Sequence, residues 1–360
     1  MALPDFDRRD IEAFDGTRLE MQLYGTGSLN VVIANGLGGT LLAWAPLLRA
    51  LGDHCRFASW DYRGLYRSDR PADISHLRVE DHVADLSAVM DAAGFDHALV
   101  FGWSMGVQVC VQAAADLGPR VDGLVLINGT YGRIFETAFQ WPLSRHLLPH
   151  LNDVAIWLAP TMPPIVRFAT KQSWFLPLVE RLGLTDQRLD REVFLAIAQG
   201  FEDLDFRVYH QIMGHLHDHD GALALDQIDQ PLLLVAGSRD AMTPASVRHA
   251  FEDRVPQTET FVVRNGTHYS LLEYPGEVIG RVERFLEDHF SGSSQAAAAA
   301  VVAQAAPESA AKTPAARKPA AKTPPAKRTQ AKAPAAKKPA AKTPAAKTPA
   351  AKKPAAKKPA

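Results

Sequence analysis

Short apolar runs and longer amphipathic stretches take turns along the first 290 residues, and this alternation restricts the fold more than any other feature. Asn30 to Ala34, Phe57 to Trp60, Ala98 to Phe101, Gly123 to Ile127, Leu232 to Ala236 and Thr260 to Val263 have strand length and are bounded by turn residues. Between several of them, as in Val79 to Met90, apolar residues return at helical spacing. Strand alternating with helix predicts an α/β fold, a mostly parallel, doubly wound sheet covered on both faces. An earlier pair, Asp10 to Phe14 and Arg18 to Tyr24, flanks Asp15-Gly16-Thr17 and is predicted to form an antiparallel hairpin at the sheet edge.

The alternation stops between Tyr131 and Asp229, a stretch with no convincing strand. Trp141, Trp157, Phe168, Trp174, Phe175, Phe194, Phe201 and Phe206 are too many aromatics for a solvated linker. A helical cap is expected, with most of these rings in its own core and a few lining a pocket. The predicted organisation is a core in two parts, 1–130 and 230–290, a helical lid or cap insertion at 131–229, and a tail at 291–360.

Charge draws the last boundary. Residues 292–360 hold 15 Lys and Arg against the single acid Glu308, whereas the first 291 residues hold 24 against 39 Asp and Glu. Of the 14 lysines, 13 lie in the tail and only Lys171 precedes it. Imperfect pentads such as Ala310-Ala311-Lys312-Thr313-Pro314, with frequent proline and no aromatic residue after Phe290, cannot build a core. A disordered, basic C-terminal tail is expected, with some extended polyproline character. No run has the ~20 apolar residues of a transmembrane helix, and Met1 to Asp7 lacks the pattern of a secretory signal, so a cytoplasmic location is expected. Cys55 and Cys110 are expected to be small buried hydrophobes, and no cofactor is expected.

The chemistry begins at Gly102-Trp103-Ser104-Met105-Gly106, between the run ending at Phe101 and the helix-like Val107 to Ala113. A strand entering a sharp turn that feeds a helix pushes the serine oxygen outward and leaves no room for side chains beside it, hence the two glycines. A serine hydroxyl needs a base, and the base needs a carboxylate to fix its tautomer. Asp240 follows the strand ending at Ala236, and His268 follows the strand ending at Val263. In a parallel sheet those loops share one edge with Ser104 and can converge on it.

In these features the chain resembles the α/β-hydrolase superfamily over roughly residues 8 to 290, with its order Ser, acid, His. Asn35-Gly36-Leu37-Gly38-Gly39 is similar to the family's oxyanion loop, and Asp61-Tyr62-Arg63-Gly64 to its Asp-x-Arg-Gly turn. The resemblance implies an oxyanion hole made by the backbone N–H groups of Leu37 and Met105. Asn35, Gly36 and Trp103 are expected at the substrate pocket. Three positions depart from the family pattern: Asn35 replaces His, Tyr66 replaces a glycine, and Val107 replaces another, the last suggesting looser packing of the helix on the sheet.

Asp122 and Asp153, expected after the sixth strand or at the entry to the lid, are weaker candidates for the acid than Asp240. His215-Leu216-His217-Asp218-His219-Asp220 could suggest zinc, but it lacks the His-x-His-x-Asp-His order, so no metal is expected. His82 and His97 are expected to be structural. A serine nucleophile disfavours the alkyl-enzyme chemistry of haloalkane dehalogenases and epoxide hydrolases. The expected function is a serine hydrolase acting on a small-molecule carboxylic ester, lactone or thioester. C–C hydrolysis, perhydrolysis or granule-associated polyester depolymerisation would use the same triad, and a non-catalytic receptor or scaffold is the alternative of another class. The tail is similar to those of linker-histone-like bacterial proteins and granule-associated phasins, which implies non-specific binding of DNA or another polyanion by residues 292–360.

Overall fold

Eight strands form one sheet in the order β1-β2-β4-β3-β5-β6-β7-β8. They are β1 (Asp7–Glu12), β2 (Arg18–Tyr24), β3 (Leu29–Ala34), β4 (Cys55–Trp60), β5 (Ala98–Trp103), β6 (Val121–Ile127), β7 (Leu232–Gly237) and β8 (Thr258–Val263). The structure, a computed structural model, describes residues 5–137 and 143–304. The expectations for Trp141 and for most of the tail lie outside the described residues.

From β3 to β8 all pairings are parallel, and β2 pairs antiparallel with both β1 and β4. The two faces alternate along each strand, as the pleat requires. Val32, Val100, Leu124 and Leu234 turn to one side, against α2 (Val79–Ala93) and α3 (Met105–Leu117), which follow α1 (Ala45–Leu51) in the chain. Val31, Phe101, Val125 and Val235 turn to the other, with Leu47 and Leu48 of α1. Burial on both faces explains why these strands read as unbroken apolar runs.

The hairpin turns earlier than its sequence suggests. Glu12 pairs with Arg18, and Ala13 and Phe14 belong to the turn, closed by Ala13 N–H to Thr17 O and Gly16 N–H to Ala13 O. Gly16 has φ +79°, a conformation that favours glycine. Phe14 leaves the strand and lies 4.9 Å from the Arg63 guanidinium, a cation–π contact.

Between β6 and β7 the described chain is helical: α4 (Ile134–Thr137), α5 (Ser144–Leu158), α6 (Met162–Ala169), α7 (Phe175–Arg181), α8 (Arg191–Gly200), α9 (Phe206–Asp218) and α10 (Ala222–Leu225). The chain then continues through α11 (Ala245–Arg254), α12 (Ser270–Glu273) and α13 (Pro275–Gln304). The aromatics of the insertion separate differently from expectation. Phe194 and Phe206 are buried, but Trp157 on α5, Phe168 on α6 and Trp174 just before α7 are exposed. Among the described residues no helix is long and apolar enough to cross a membrane.

Helix α3 is not loosened by Val107. Its side chain is fully buried and occupies the space over Gly129, where an added Cβ would lie 2.3 Å from Val107 Cγ2. The glycine absent from the helix is replaced by one facing it from the end of β6.

Candidate active site

β5 runs directly into α3, and Ser104 occupies the junction with φ +55° and ψ −116°. Such a backbone costs a non-glycine residue of order 1–3 kcal/mol and persists only where its surroundings hold it. A Cβ on Gly102 would sit 2.5 Å from Gly106 O, and one on Gly106 would sit 1.9 Å from Ala34 O. Both glycines of the motif are therefore demanded by space. The turn aims Ser104 Oγ at His268 Nε2, 2.9 Å away.

His268 lies between β8 and α12, and Asp240 follows β7. His268 Nδ1 is 2.9 Å from Asp240 Oδ2, completing a chain of contacts from carboxylate to hydroxyl. Burial alone pushes the Asp240 carboxyl up. The charge of His268, and hydrogen bonds from His268, Thr243 and Asn128, outweigh burial and bring it down to about 2. Asp240 is thus an anion at neutral pH, fixed by its neighbours. An imidazole held between such an anion and a hydroxyl can accept the hydroxyl proton.

Asn128 was not singled out from the sequence. It ends β6, between the strands that carry Ser104 and Asp240, with φ +48°. Its Nδ2 donates to Asp240 Oδ2 at 2.8 Å and to Thr267 O at 3.0 Å, and its Oδ1 accepts from Ser270. The available signal was its place: a polar residue directly after an apolar run, at the same sheet edge as the other two.

Two tyrosines on the β4 turn hold the loop after β3. Tyr62 donates to Asn35 O at 2.7 Å and Tyr66 donates to Gly38 O, while Gly39 N–H closes the loop onto Gly36 O at 2.8 Å. Tyr66 keeps φ +51°, so tyrosine has retained the backbone form of the glycine it replaces. Beneath the turn Arg63 is fully buried and paired with Asp85 and Asp15.

A cavity of about 610 Å³ opens above Ser104. Gly36, Leu37, Trp103, Met105 and His268 all line it. Met105 opens α3, where the first backbone N–H groups have no acceptor within the helix. Gly36 has no room for a side chain, since a Cβ would lie 2.9 Å from the Trp103 ring. Trp103 in turn donates to His268 O at 3.0 Å. Asn35, expected at the pocket, does not line it. Its amide is buried, donating to Ser59 Oγ and accepting from Trp44 Nε1, both at 3.0 Å, so it ties the loop down from behind.

The other candidates lie elsewhere. Asp122 stands near the start of β6, 3.6 Å from His97 and at the opposite sheet edge from Ser104, rather than after the strand. Asp153 is exposed on α5. Within the His215 to Asp220 cluster, His219 contacts Gln108 and Gln112, His217 stacks on Phe135, and Asp220 pairs with Arg133. These three side chains are engaged in different places, and among the described residues no three such groups are placed to hold a metal. His82 is buried in α2 against Tyr62, and Cys55 and Cys110 are buried free thiols.

The model of the alpha/beta hydrolase fold family matches residues 30–275. The chain belongs to the α/β-hydrolase fold family. The two relatives that follow are named as hydrolases. It is 28% identical over 262 residues to a putative carbamate hydrolase, RutD, of Caulobacter sp. (strain K31), covering 71% of this chain and 90% of that protein. It is 25% identical to the pimeloyl-[acyl-carrier protein] methyl ester esterase of Serratia marcescens, covering 76% of this chain and all of that one. The solved enol-lactonase of Burkholderia xenovorans LB400 superposes with a TM-score of 0.62 at 21% identity, covering 78% of this chain and 100% of that one, a likeness of fold.

Proposed function

We propose that this α/β hydrolase is a serine hydrolase cleaving neutral, apolar carboxylic esters, or the related lactones and thioesters, through an acyl-enzyme on Ser104. The observation that carries the reading is the relay Asp240–His268–Ser104, with both contacts at 2.9 Å, at the floor of the cavity. Ser104 Oγ attacks the substrate carbonyl carbon while His268 Nε2 takes its proton, and the negative charge moves to the carbonyl oxygen. The N–H groups of Leu37 and Met105 stabilise that oxyanion, where one donor is typically worth about a hundredfold to a thousandfold in rate. The intermediate collapses, the C–O bond to the alcohol breaks, and His268 returns the proton to the departing oxygen. Water then repeats the sequence, giving its proton to His268 and releasing the acid and free Ser104.

The cavity supports the substrate class. No Asp, Glu, Lys or Arg is among the described lining residues, and the walls are mainly aliphatic and aromatic, including Phe175, Phe194 and Phe201. A substrate carrying a carboxylate would find no Lys or Arg among them. The curated relatives, a carbamate hydrolase and a methyl ester esterase, agree in reaction type.

Ser104→Ala should abolish turnover of a short p-nitrophenyl ester and labelling by a fluorophosphonate, with an unchanged melting curve. Retained turnover would remove the proposal. The tail 292–360, with its 15 cations, is read as a non-specific polyanion-binding segment whose affinity falls steeply with salt. A gel shift with random duplex DNA at two salt concentrations, comparing the full chain with one ending at Ser291, tests this, and identical behaviour would refute it.

A further inference from the structure

Helix α5 turns much of its apolar surface outward. Its buried side chains are Ser144 and Asn152, and Asn152 is locked to α9 by a reciprocal pair of 2.9 Å contacts with His210, through His210 O and Nδ1. Its outward stripe is Leu147, Leu151, Val154 and Leu158, at i, i+4, i+7 and i+11, with Trp157 beside it at 78% exposure. The following helices continue the surface: Ile165 and Phe168 of α6 are 61% and 64% exposed, and Trp174, Leu178 and Leu182 on and around α7 are also exposed. Scattered exposed apolar residues are ordinary, but ten large ones within residues 147–182, on successive helices whose inner sides line one cavity, mark a contact with something else.

The surroundings of the face indicate what that is. Residues 143–182 carry four Lys or Arg (Arg145, Arg167, Lys171 and Arg181) against Asp153 and Glu180, whereas the rest of the first 291 residues holds 20 against 37. The one lysine before the tail therefore lies in this segment. Two copies brought together through the face would juxtapose like charges, and an acidic partner without an apolar surface would leave the stripe wet. An anionic bilayer satisfies both, taking the aliphatic and Trp side chains at its interface and the cations at its headgroups. The cavity also reaches the surface here, because Ile165 both lines it and is exposed, and Leu148, Val166, Phe175 and Val179 line it from the inner sides of the same helices.

We propose that the outer face of α5, α6 and α7 is a docking surface for an anionic phospholipid bilayer, which places the mouth of the cavity against the acyl region of the lipid. The proposal does not depend on Ser104 being the nucleophile. It is tested by flotation of the full chain with vesicles of phosphatidylglycerol and phosphatidylcholine, and with vesicles of phosphatidylcholine alone. The comparison chain carries Leu151→Glu with Trp157→Glu, both at exposed positions outside the cavity lining, with its fold checked by circular dichroism and melting.

The parent should float with the anionic vesicles and at least tenfold less with the neutral ones, and the double variant should lose at least tenfold of the anionic binding. Equal flotation of parent and double variant would overturn the proposal, since another part of the chain would then hold the lipid. Equal flotation with neutral and anionic vesicles would overturn the choice of anionic lipid. A parent that is dimeric by sedimentation and split by the double variant would identify the face as a self-association surface instead.

Discussion

Asn128 Nδ2 donates to Asp240 Oδ2 across 2.8 Å, and that same oxygen lies 2.9 Å from His268 Nδ1. One carboxylate oxygen thus receives the imidazole and an amide from a neighbouring strand, while Asp240 Oδ1 accepts the Met242 and Thr243 backbone N–H groups. The carboxylate has little freedom to rotate, so the imidazole it orients has little freedom either.

Asn128→Ala should therefore slow turnover without changing substrate affinity. A hydrogen bond to a charged group is worth about 1.5–3 kcal/mol, which at the transition state corresponds to roughly tenfold to a hundredfold in kcat. KM should stay within about twofold, because Asn128 does not line the cavity. Asn128→Asp should be worse, since a second carboxylate would face Asp240. Steady-state kinetics on a p-nitrophenyl ester separate these outcomes. Wild-type kcat in Asn128→Ala would mean that Thr243 and the backbone are sufficient to hold Asp240.

Tyr66 acts on the opposite side of the site. Its hydroxyl holds Gly38 O, while Tyr62 holds Asn35 O, so the loop bearing Leu37 is gripped at both ends. Tyr66→Phe keeps the ring and removes the grip at one end. A carbonyl left without its donor in a buried setting costs about 1–3 kcal/mol, and loosening the loop we propose to hold the oxyanion should lower kcat by about tenfold with KM nearly constant. Kinetics and urea unfolding of the same variant check both. A variant that loses stability but keeps full kcat would make Tyr66 purely structural.

These two residues mark where sequence reading stops. The parallel strands were legible because burial on both faces turns them into unbroken apolar runs. The meeting of Ser104, Asp240 and His268 was legible because each follows a strand whose end lies at one edge of the sheet. Asn128 carries no motif, and its role exists only once β6 is placed between β5 and β7. Tyr66 reads as a departure from a glycine pattern, and only its φ of +51° and its bond to Gly38 O explain how tyrosine serves there. The lid misleads for a different reason. Periodicity identifies the apolar stripe of α5 but not its direction, and here the buried side is the one with Asn152.

Asp61 supplies a pH dependence of stability that is separate from catalysis. Burial pushes its carboxyl up to about 6 from 3.8; the Arg67 N–H and Gln22 amide oppose this, and nearby Glu20 adds to the rise. The folded protein therefore holds this proton more tightly than the unfolded chain does. The stabilisation is complete below about pH 3.8 and is lost as pH rises through about 6, a change of about 3 kcal/mol at roughly 1.4 kcal/mol per pH unit. Asp61→Asn stays neutral throughout, can still accept the Arg67 N–H, and removes that slope. Urea unfolding of parent and variant between about pH 4 and pH 7 should show the difference in stability shifting toward the variant by about 2 kcal/mol, most of the full change, while contributions from Asp240 cancel because both chains retain it. Parallel profiles across that range would mean that Asp61 is ionised in the folded protein, with the Gln22 and Arg67 donors sufficient to keep its charge buried.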